Sequence, residues 1–114
     1  MVYIFGIKNC DTMKKARRWL DEAGVDYAYH DFKVEGIDSK RLKAWCASVG
    51  WEVLLNRRGL TWRGLSDDQK LDMDSDRAIA LMAENPTLIK RPVLEIGEHI
   101  EVGFSSERYT ELLS

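Results

Sequence analysis

The sequence predicts one α/β domain, residues 1–114, in which a β-α-β half and a β-β-α half flank a helical insertion at about residues 38–86. Three observations lead to this prediction. The apolar run Val2–Phe5 is followed by residues at helical spacing and then by an alternating run, which is the pattern of a βαβ unit. Two short strand patterns lie near the end of the chain. The stretch between these two parts carries helix signals only.

Length and composition limit the class of protein. A chain of 114 residues with a net charge of −2 fits one domain and argues against a general nucleic-acid binder. The sequence contains no apolar run of about 18 residues, so no membrane span is expected, and the N-terminus lacks the pattern of a signal peptide. Two cysteines are too few for a disulfide framework. We therefore expect a cytoplasmic monomer with reduced thiols.

The first half starts with the strand Val2–Phe5. Asp11 or Thr12 is predicted to cap a helix that ends before Gly24, because short polar residues favour N-caps and glycine favours the C-terminal stop. A second strand at about residues 26–30 completes the βαβ unit. Its crossover connection should be right-handed.

The helical insertion starts at Asp38 or Ser39, and its first helix is predicted to end at Gly50. Further signals are, in chain order, a short, partly helical linker rich in arginine at residues 51–60, a capping box at Ser66–Gln69, and a helix at about Ser75–Glu84 that stops at Asn85-Pro86. The residues predicted to face inward are Leu42, Trp45, Cys46 and Val49 in the first helix and Ile79, Met82 and Ala83 in the last.

The second half is predicted to hold the strands Pro92–Ile96 and His99–Val102. A two-residue loop with glycine first, Gly97-Glu98, suits a tight hairpin. Ser105 or Ser106 should cap the last helix.

Cys10 lies where the first strand gives way to the first helix. A helix N-terminus carries partial positive charge and unpaired N–H groups, so a thiol there is favoured as the reactive thiolate. The alternative is that Cys10 is a small buried apolar residue. Cys46, in contrast, shares a helix face with Leu42 and Trp45, which favours a core position over a resolving thiol.

Basic residues form two clusters that are distant in sequence, one with Arg57 and Arg58 and one with Arg91. Arginine forks bind oxyanions and carboxylates in a bidentate manner. The alternative is scattered charge on solvated loops. The two histidines, His30 and His99, lack the spacing of metal ligands, so no metal site is expected.

Three stretches, Tyr3–Ala16, Leu55–Trp62 and Ile89–Val93, together resemble the ArsC/Spx family of arsenate reductase-like proteins, and within it the YffB branch. The resemblance covers essentially the whole chain. It implies a thioredoxin-like fold with a helical insertion between the halves, as in ArsC-like proteins.

The resemblance also implies roles for residues. Cys10 would be the catalytic nucleophile. The implied substrate- and anion-binding residues are Arg57 or Arg58, Arg91, Pro92 as a cis proline beside the thiol, and Asn9 and Thr12 on either side of Cys10.

Two departures from the family pattern shape the functional prediction. Arsenate reductases carry a further arginine after the last strand, where this chain has Phe104; Spx regulators and thioredoxins carry a second cysteine where it has Met13. The predicted function is therefore reduction of thiols or mixed disulfides through one cysteine, with glutathione as co-substrate, glutaredoxin as a further partner and no bound cofactor. The alternatives are an arsenate reductase and an Spx-like regulator that binds RNA polymerase.

Overall fold

The computed structural model describes residues 1–113. Its elements are, in chain order, β1 (Val2–Gly6), α1 (Asp11–Glu22), β2 (Tyr27–Asp31), α2 (Phe32–Glu35), α3 (Ser39–Val49), α4 (Trp51–Leu54), α5 (Leu60–Arg63), α6 (Asp67–Lys70), α7 (Ser75–Glu84), a 3₁₀ turn (Pro86–Leu88), β3 (Val93–Ile96), β4 (His99–Val102) and α8 (Ser106–Leu113).

Contacts divide the chain into two compact units. The sheet unit comprises residues 1–31 and the chain from Arg91 onward, and the insertion unit comprises Phe32–Lys90. The insertion unit starts before and ends after the predicted helical insertion. That the whole chain forms one domain stays a prediction.

The sheet unit contains one four-stranded sheet with the order β2-β1-β3-β4. Strand β1 is parallel to β2 and antiparallel to β3, which in turn is antiparallel to β4. Because β1 lies inside the sheet, its residues Ile4 and Phe5 are fully buried. This β-α-β and β-β-α arrangement confirms the thioredoxin-like fold expected from the sequence.

Helix α1 packs on the sheet through an apolar stripe at helical spacing. Met13, Ala16 and Leu20 are buried in one cluster with Ile4 of β1 and Leu94 of β3. Residues of β1, α1 and β3 thus form the core beneath the junction between β1 and α1.

The N-cap of α1 differs from the prediction. Cys10 itself is the N-cap, with extended backbone angles (φ −138°, ψ 123°), and its side chain makes no capping hydrogen bond. Asp11 and Thr12 already belong to the helix. The choice of Asp11 or Thr12 as cap was wrong because capping preference identifies suitable residue types, whereas the backbone turn places the cap one residue earlier.

The strand predictions were close, with small shifts at the ends. Strand β2 runs one residue further along the chain than predicted because Asp31 pairs with Gly6. Strand β3 begins at Val93 and not at Pro92, which has no N–H to donate to a sheet. Ser105 is the cap of α8, since its Oγ accepts a hydrogen bond from the backbone N–H of Arg108 (3.1 Å).

The insertion unit is built on α3 and α7. The carboxylate of Asp38 caps α3, and Gly50, with a positive φ of 89°, ends it as predicted. Of the predicted inward face of α3, Leu42 and Trp45 are fully buried. Cys46 and Val49 are only half-buried, because they lie at the margin of this face.

Helix α7 confirms the burial of Ile79 and Met82. Ala83 is only half-buried, while Ala78 and Leu81, which the prediction omitted, are buried. The buried face is thus rotated towards the start of the helix relative to the prediction.

The linker after α3 is partly helical, as predicted. An isolated bridge joins Leu55 to Ile89, and beside it the N–H of Lys90 donates to the carbonyl of Leu54 (2.8 Å). The capping box between Ser66 and Gln69 is confirmed by reciprocal hydrogen bonds.

Replacing Gly6 by alanine is expected to lower the free energy of unfolding by about 1–3 kcal/mol. A Cβ at Gly6 would overlap the Met13 side chain, with Cε at 2.7 Å and Cγ at 2.9 Å. Met13 is 1% exposed and packs in the cluster beneath α1, so a shift of its side chain would disturb the packing of α1 on the sheet. Urea unfolding of Gly6→Ala measures the effect.

Gly64→Ala is the matched control, because a Cβ there meets only ordinary contacts of 3.5–3.6 Å. The double variant Gly6→Ala/Met13→Ala should lose less stability than the sum of the two single variants, because the shorter side chain makes room for the new methyl group. Equal stability of the two glycine variants would contradict this account of the contact between β1 and α1.

Candidate active site

The candidate site lies at one end of the sheet unit, where three chain segments meet. Phe5 is opposite Val93 in the sheet, so Pro92 comes level with Gly6, the last residue of β1. Gly6 also pairs with Asp31, at the end of β2. The loop that carries Cys10 and the segment that carries Pro92 therefore leave the sheet at the same end.

Cys10 occupies the N-cap of α1 and is half-buried. It packs against the apolar cluster beneath α1, and its carbonyl accepts a hydrogen bond from the N–H of Lys14 (3.0 Å). The first N–H groups of a helix have no partner within the helix, and they point towards an anion at its N-terminus. The thiol thus lies at the positive end of a helix.

The residues on either side of Cys10 are less enclosed. Asn9, in the bend before it, and Thr12, the second residue of α1, are both exposed. Their assignment to anion binding stays a prediction, since no interaction of their side chains distinguishes it.

The peptide bond between Arg91 and Pro92 is cis, as the family resemblance implied. Pro92 is buried and its carbonyl accepts a hydrogen bond from the N–H of Gly103 (2.9 Å), while Arg91 is half-buried. This bond links the start of β3 to the chain after β4. It holds Phe104 near the same end of the sheet, with its ring edge-on to Tyr109 (4.8 Å between centroids).

Tyr29 and Arg17 form a pair beside this site that the sequence analysis did not single out. The Arg17 guanidinium lies 4.3 Å from the centre of the Tyr29 ring. Burial, and then the charge of Asp31, raises the pKa of Tyr29, whereas Arg17 opposes the shift. The charge of Cys10 makes the smallest contribution to the raised pKa of Tyr29. The alternating strand pattern around Tyr29 was the one signal in the sequence.

Arg57 and Arg58 belong to the insertion unit, where the structure distinguishes them. The Arg57 guanidinium stacks over the Trp51 ring, 5.1 Å from its centre. The backbone N–H of Arg58 donates to the Asn56 side chain (3.0 Å), and the side chains of Arg57 and Arg58 are both exposed. The guanidinium of Arg58 is therefore the less engaged of the two.

Cys46 is a poor candidate for a reactive thiol. Burial, and then the charge of Glu52, raises the pKa of Cys46. Within residues 1–113, no group of three or more potential ligands is arranged to hold a metal ion. No helix in the same range is long and apolar enough to cross a membrane.

Alkylation of Cys46 is expected to be several-fold slower in the folded Cys10→Ser protein than in the same protein unfolded in urea, at pH 8. A raised pKa leaves a smaller fraction of thiolate, which is the form that reacts. The difference between the two alkylation rates should narrow as the pH rises above 9.0, the reference pKa of a thiol, because the Cys46 thiol of the folded protein then ionises too. Iodoacetamide labelling followed by mass spectrometry measures both rates. A constant ratio between pH 7 and pH 11 would point to steric protection alone.

Comparison with known proteins identifies the family of this chain. The model of the ArsC family matches residues 5–112. The chain belongs to the ArsC family. Among solved structures, a protein named YFFB is 51% identical, with a TM-score of 0.97 and complete coverage of both chains.

Two further relatives bear on function. An arsenate reductase (ArsC) related protein from Brucella melitensis is 48% identical over 96% of this chain and 92% of its own, with a TM-score of 0.76. The global transcriptional regulator Spx of Streptococcus pyogenes is 27% identical over 100% of this chain and 86% of its own. The chain is thus an arsenate reductase-like protein of the ArsC family, and a transcriptional regulator is among the proteins to which it is similar.

Proposed function

We propose that this ArsC-family protein reduces thiol-linked substrates, mixed disulfides above all, through Cys10 alone, with glutathione as the electron donor. The observation that carries the proposal is the position of Cys10 at the N-cap of α1, at the sheet end from which the cis Arg91-Pro92 segment also leaves. A cysteine so placed combines access with a local positive potential.

The proposed reaction has two thiol–disulfide exchanges. The Cys10 thiolate attacks one sulfur of the substrate disulfide, which releases the other sulfur as a thiolate and leaves a mixed disulfide on Cys10. A glutathione thiolate then attacks that mixed disulfide and frees Cys10. When the adduct is itself a glutathione, the second product is oxidised glutathione, so electrons and protons balance.

An external thiol is needed in this scheme because the chain offers no local one. Met13 stands where a Cys-x-x-Cys pair would place its second sulfur, and it is buried beneath α1. The raised pKa of Cys46 also argues against a resolving role. Glutathione, with glutaredoxin as a further donor, is the proposed partner of a monomer in the cytoplasm.

Arginine side chains supply the proposed anion-binding groups. Arg91 precedes the cis proline at the sheet end that carries Cys10. Arg57 or Arg58, both exposed in the insertion unit, is the second proposed group, as the family resemblance implies. Each presents a planar fork that suits a carboxylate or an oxyanion.

Arsenate reduction is the second candidate, favoured by the likeness to the Brucella melitensis protein. We place it below disulfide reduction because Phe104 packs its apolar ring on Tyr109 near the site. An apolar ring offers no hydrogen-bond donor to an oxyanion, unlike the arginine expected there in arsenate reductases.

The test compares both substrates in one assay. Wild-type protein is mixed with glutathione, glutathione reductase and NADPH, and NADPH oxidation is followed with bis(2-hydroxyethyl) disulfide, a glutathionylated peptide or arsenate. Faster turnover with the disulfides is the expected result. Faster turnover with arsenate would favour the second candidate, and inactivity on all three would overturn the enzyme proposal.

A regulator that binds RNA polymerase is a third candidate, favoured by the similarity to Spx. The absence of a second cysteine at Met13 disfavours its redox-switched form. Stoichiometric binding to purified RNA polymerase, together with an unreactive Cys10, would support this candidate over the enzyme.

A further inference from the structure

A groove of about 320 Å³ runs along α1 in the sheet unit. Its lining begins at Ile7 and Lys8, just before Cys10, and ends at Asp21 and Glu22 near the end of the helix. This volume falls in the range of about 300–1,000 Å³ that small-molecule sites occupy. The groove starts within one helical turn of Cys10.

The end of the groove nearest to Cys10 is positively charged. Lys8, Lys14 and Arg18 line it, and all three are exposed. Within residues 1–113, their side chains take part in no hydrogen bond or ion pair. Arg17 also lines the groove but is already engaged, since its guanidinium stacks on the Tyr29 ring. Three cations are thus available to a ligand beside the thiol.

The carboxylates of the groove lie at its far end. Asp21 accepts a hydrogen bond from the hydroxyl of Tyr27 (2.9 Å), and Glu22 follows it. At about 1.5 Å per helical residue, Asp21 lies about 16 Å along the axis from Cys10. An extended tripeptide spans only about 10 Å. By the same measure Lys14 lies about 6 Å and Arg18 about 12 Å along the axis from Cys10, so a tripeptide whose sulfur meets Cys10 would lie beside Lys14, end near Arg18 and stop short of the carboxylates.

We propose that Lys8, Lys14 and Arg18 form a carboxylate-binding subsite that selects anionic thiols and disulfides of tripeptide size for reaction at Cys10. The proposal rests on the proposed function and names the groups that would choose its co-substrate. Glutathione has this chemistry, with two carboxylates and one ammonium group around its thiol. The positive charge of the three side chains suits the carboxylates of glutathione, and their distance from Cys10 suits the length of a tripeptide.

The test uses one half-reaction. The Cys10 thiolate attacks one sulfur of oxidised glutathione, the S–S bond breaks, a Cys10–glutathione disulfide forms and one glutathione thiolate leaves. Mass spectrometry of quenched samples gives the rate of this step. The same measurement with bis(2-hydroxyethyl) disulfide, which is neutral, reports the intrinsic reactivity of Cys10.

Lys14→Gln should slow the reaction with oxidised glutathione by about 2- to 5-fold, which is the effect expected of one exposed ion pair. Its reaction with the neutral disulfide should be unchanged. Lys15→Gln is the matched control, because Lys15 is the next residue of α1, is equally exposed and does not line the groove. Lys14→Glu should slow the anionic reaction further, and added salt should remove the difference between variants.

Equal rates for Lys14→Gln and Lys15→Gln with oxidised glutathione would overturn the subsite, as would a loss of the same size with the neutral disulfide. The half-reaction is measured without catalytic turnover, so it tests the carboxylate-binding subsite separately from the proposed reductase function. A selective loss in Lys14→Gln without steady-state turnover of wild type would uphold the subsite and overturn the reductase. Absence of any Cys10 adduct in wild type would overturn both.

Discussion

Replacing Cys10 by serine is expected to abolish disulfide and arsenate reduction, with a fall in kcat/KM of more than about 1,000-fold. Serine keeps the size and the N-cap position, but its hydroxyl is far less acidic than a thiol and forms no disulfide. The measurement is NADPH oxidation coupled through glutathione reductase. Loss of the nucleophile removes both exchange steps, so no residual route through this site remains.

The matched control is Cys46→Ser. Since burial and Glu52 raise the pKa of the Cys46 thiol, we expect no part for it in the reaction. The kcat/KM of Cys46→Ser should stay within about 2-fold of wild type, because substitution of a half-buried residue that takes no part in the reaction changes activity little. A comparable loss in both serine variants would show that the two cysteines act together and would contradict a mechanism with a single thiol.

Replacing Trp45 by alanine is expected to lower the free energy of unfolding by about 3–5 kcal/mol, the range for truncating a large buried aromatic residue. Trp45 is fully buried in the insertion unit, with the Phe32 ring 6.4 Å away between centroids. Its removal leaves a cavity that α3 and its neighbours can fill only in part. Urea unfolding followed by far-ultraviolet circular dichroism gives the change.

Trp62→Ala is the control within the same unit. Trp62 is half-buried, and the Nζ of Lys70 lies 5.4 Å from its ring centre. Its truncation loses this cation–π contact, worth about 0.5–1 kcal/mol, and less buried area than the truncation of Trp45. A loss of stability in Trp45→Ala no larger than in Trp62→Ala would contradict the central place of Trp45 in this core.

Much of the fold could be predicted because its signals are local. Gly24 and Gly50, both with positive φ, end helices where the sequence placed them, and the capping box at Ser66–Gln69 is present. Each depends on backbone geometry and hydrogen bonds within a few residues. The prediction for the N-cap of α1 was wrong because it rested on residue type alone. Asp11 is a favourable N-cap residue, but it lies inside the helix.

The candidate site was predictable in part. Cys10 was identified from its place at a strand–helix junction, and the cis proline at Pro92 from the family resemblance. The sequence left the choice between Arg57 and Arg58 open, because neighbouring residues share every feature of sequence spacing. In the structure Arg57 stacks on Trp51, both side chains are exposed, and which of the two binds an anion stays a prediction.

The sequence by itself determined that a cysteine stands at the start of the first helix, because strand and helix patterns depend on residues adjacent in the chain. Only the tertiary structure decided what lies near it. The antiparallel register of β1 with β3 brings Pro92 level with Gly6, although these residues are far apart in sequence. Packing of α1 on the sheet engages Arg17 with Tyr29 and leaves Lys14 and Arg18 open to a ligand. Strand pairing and helix packing join distant segments, and no local pattern specifies those contacts.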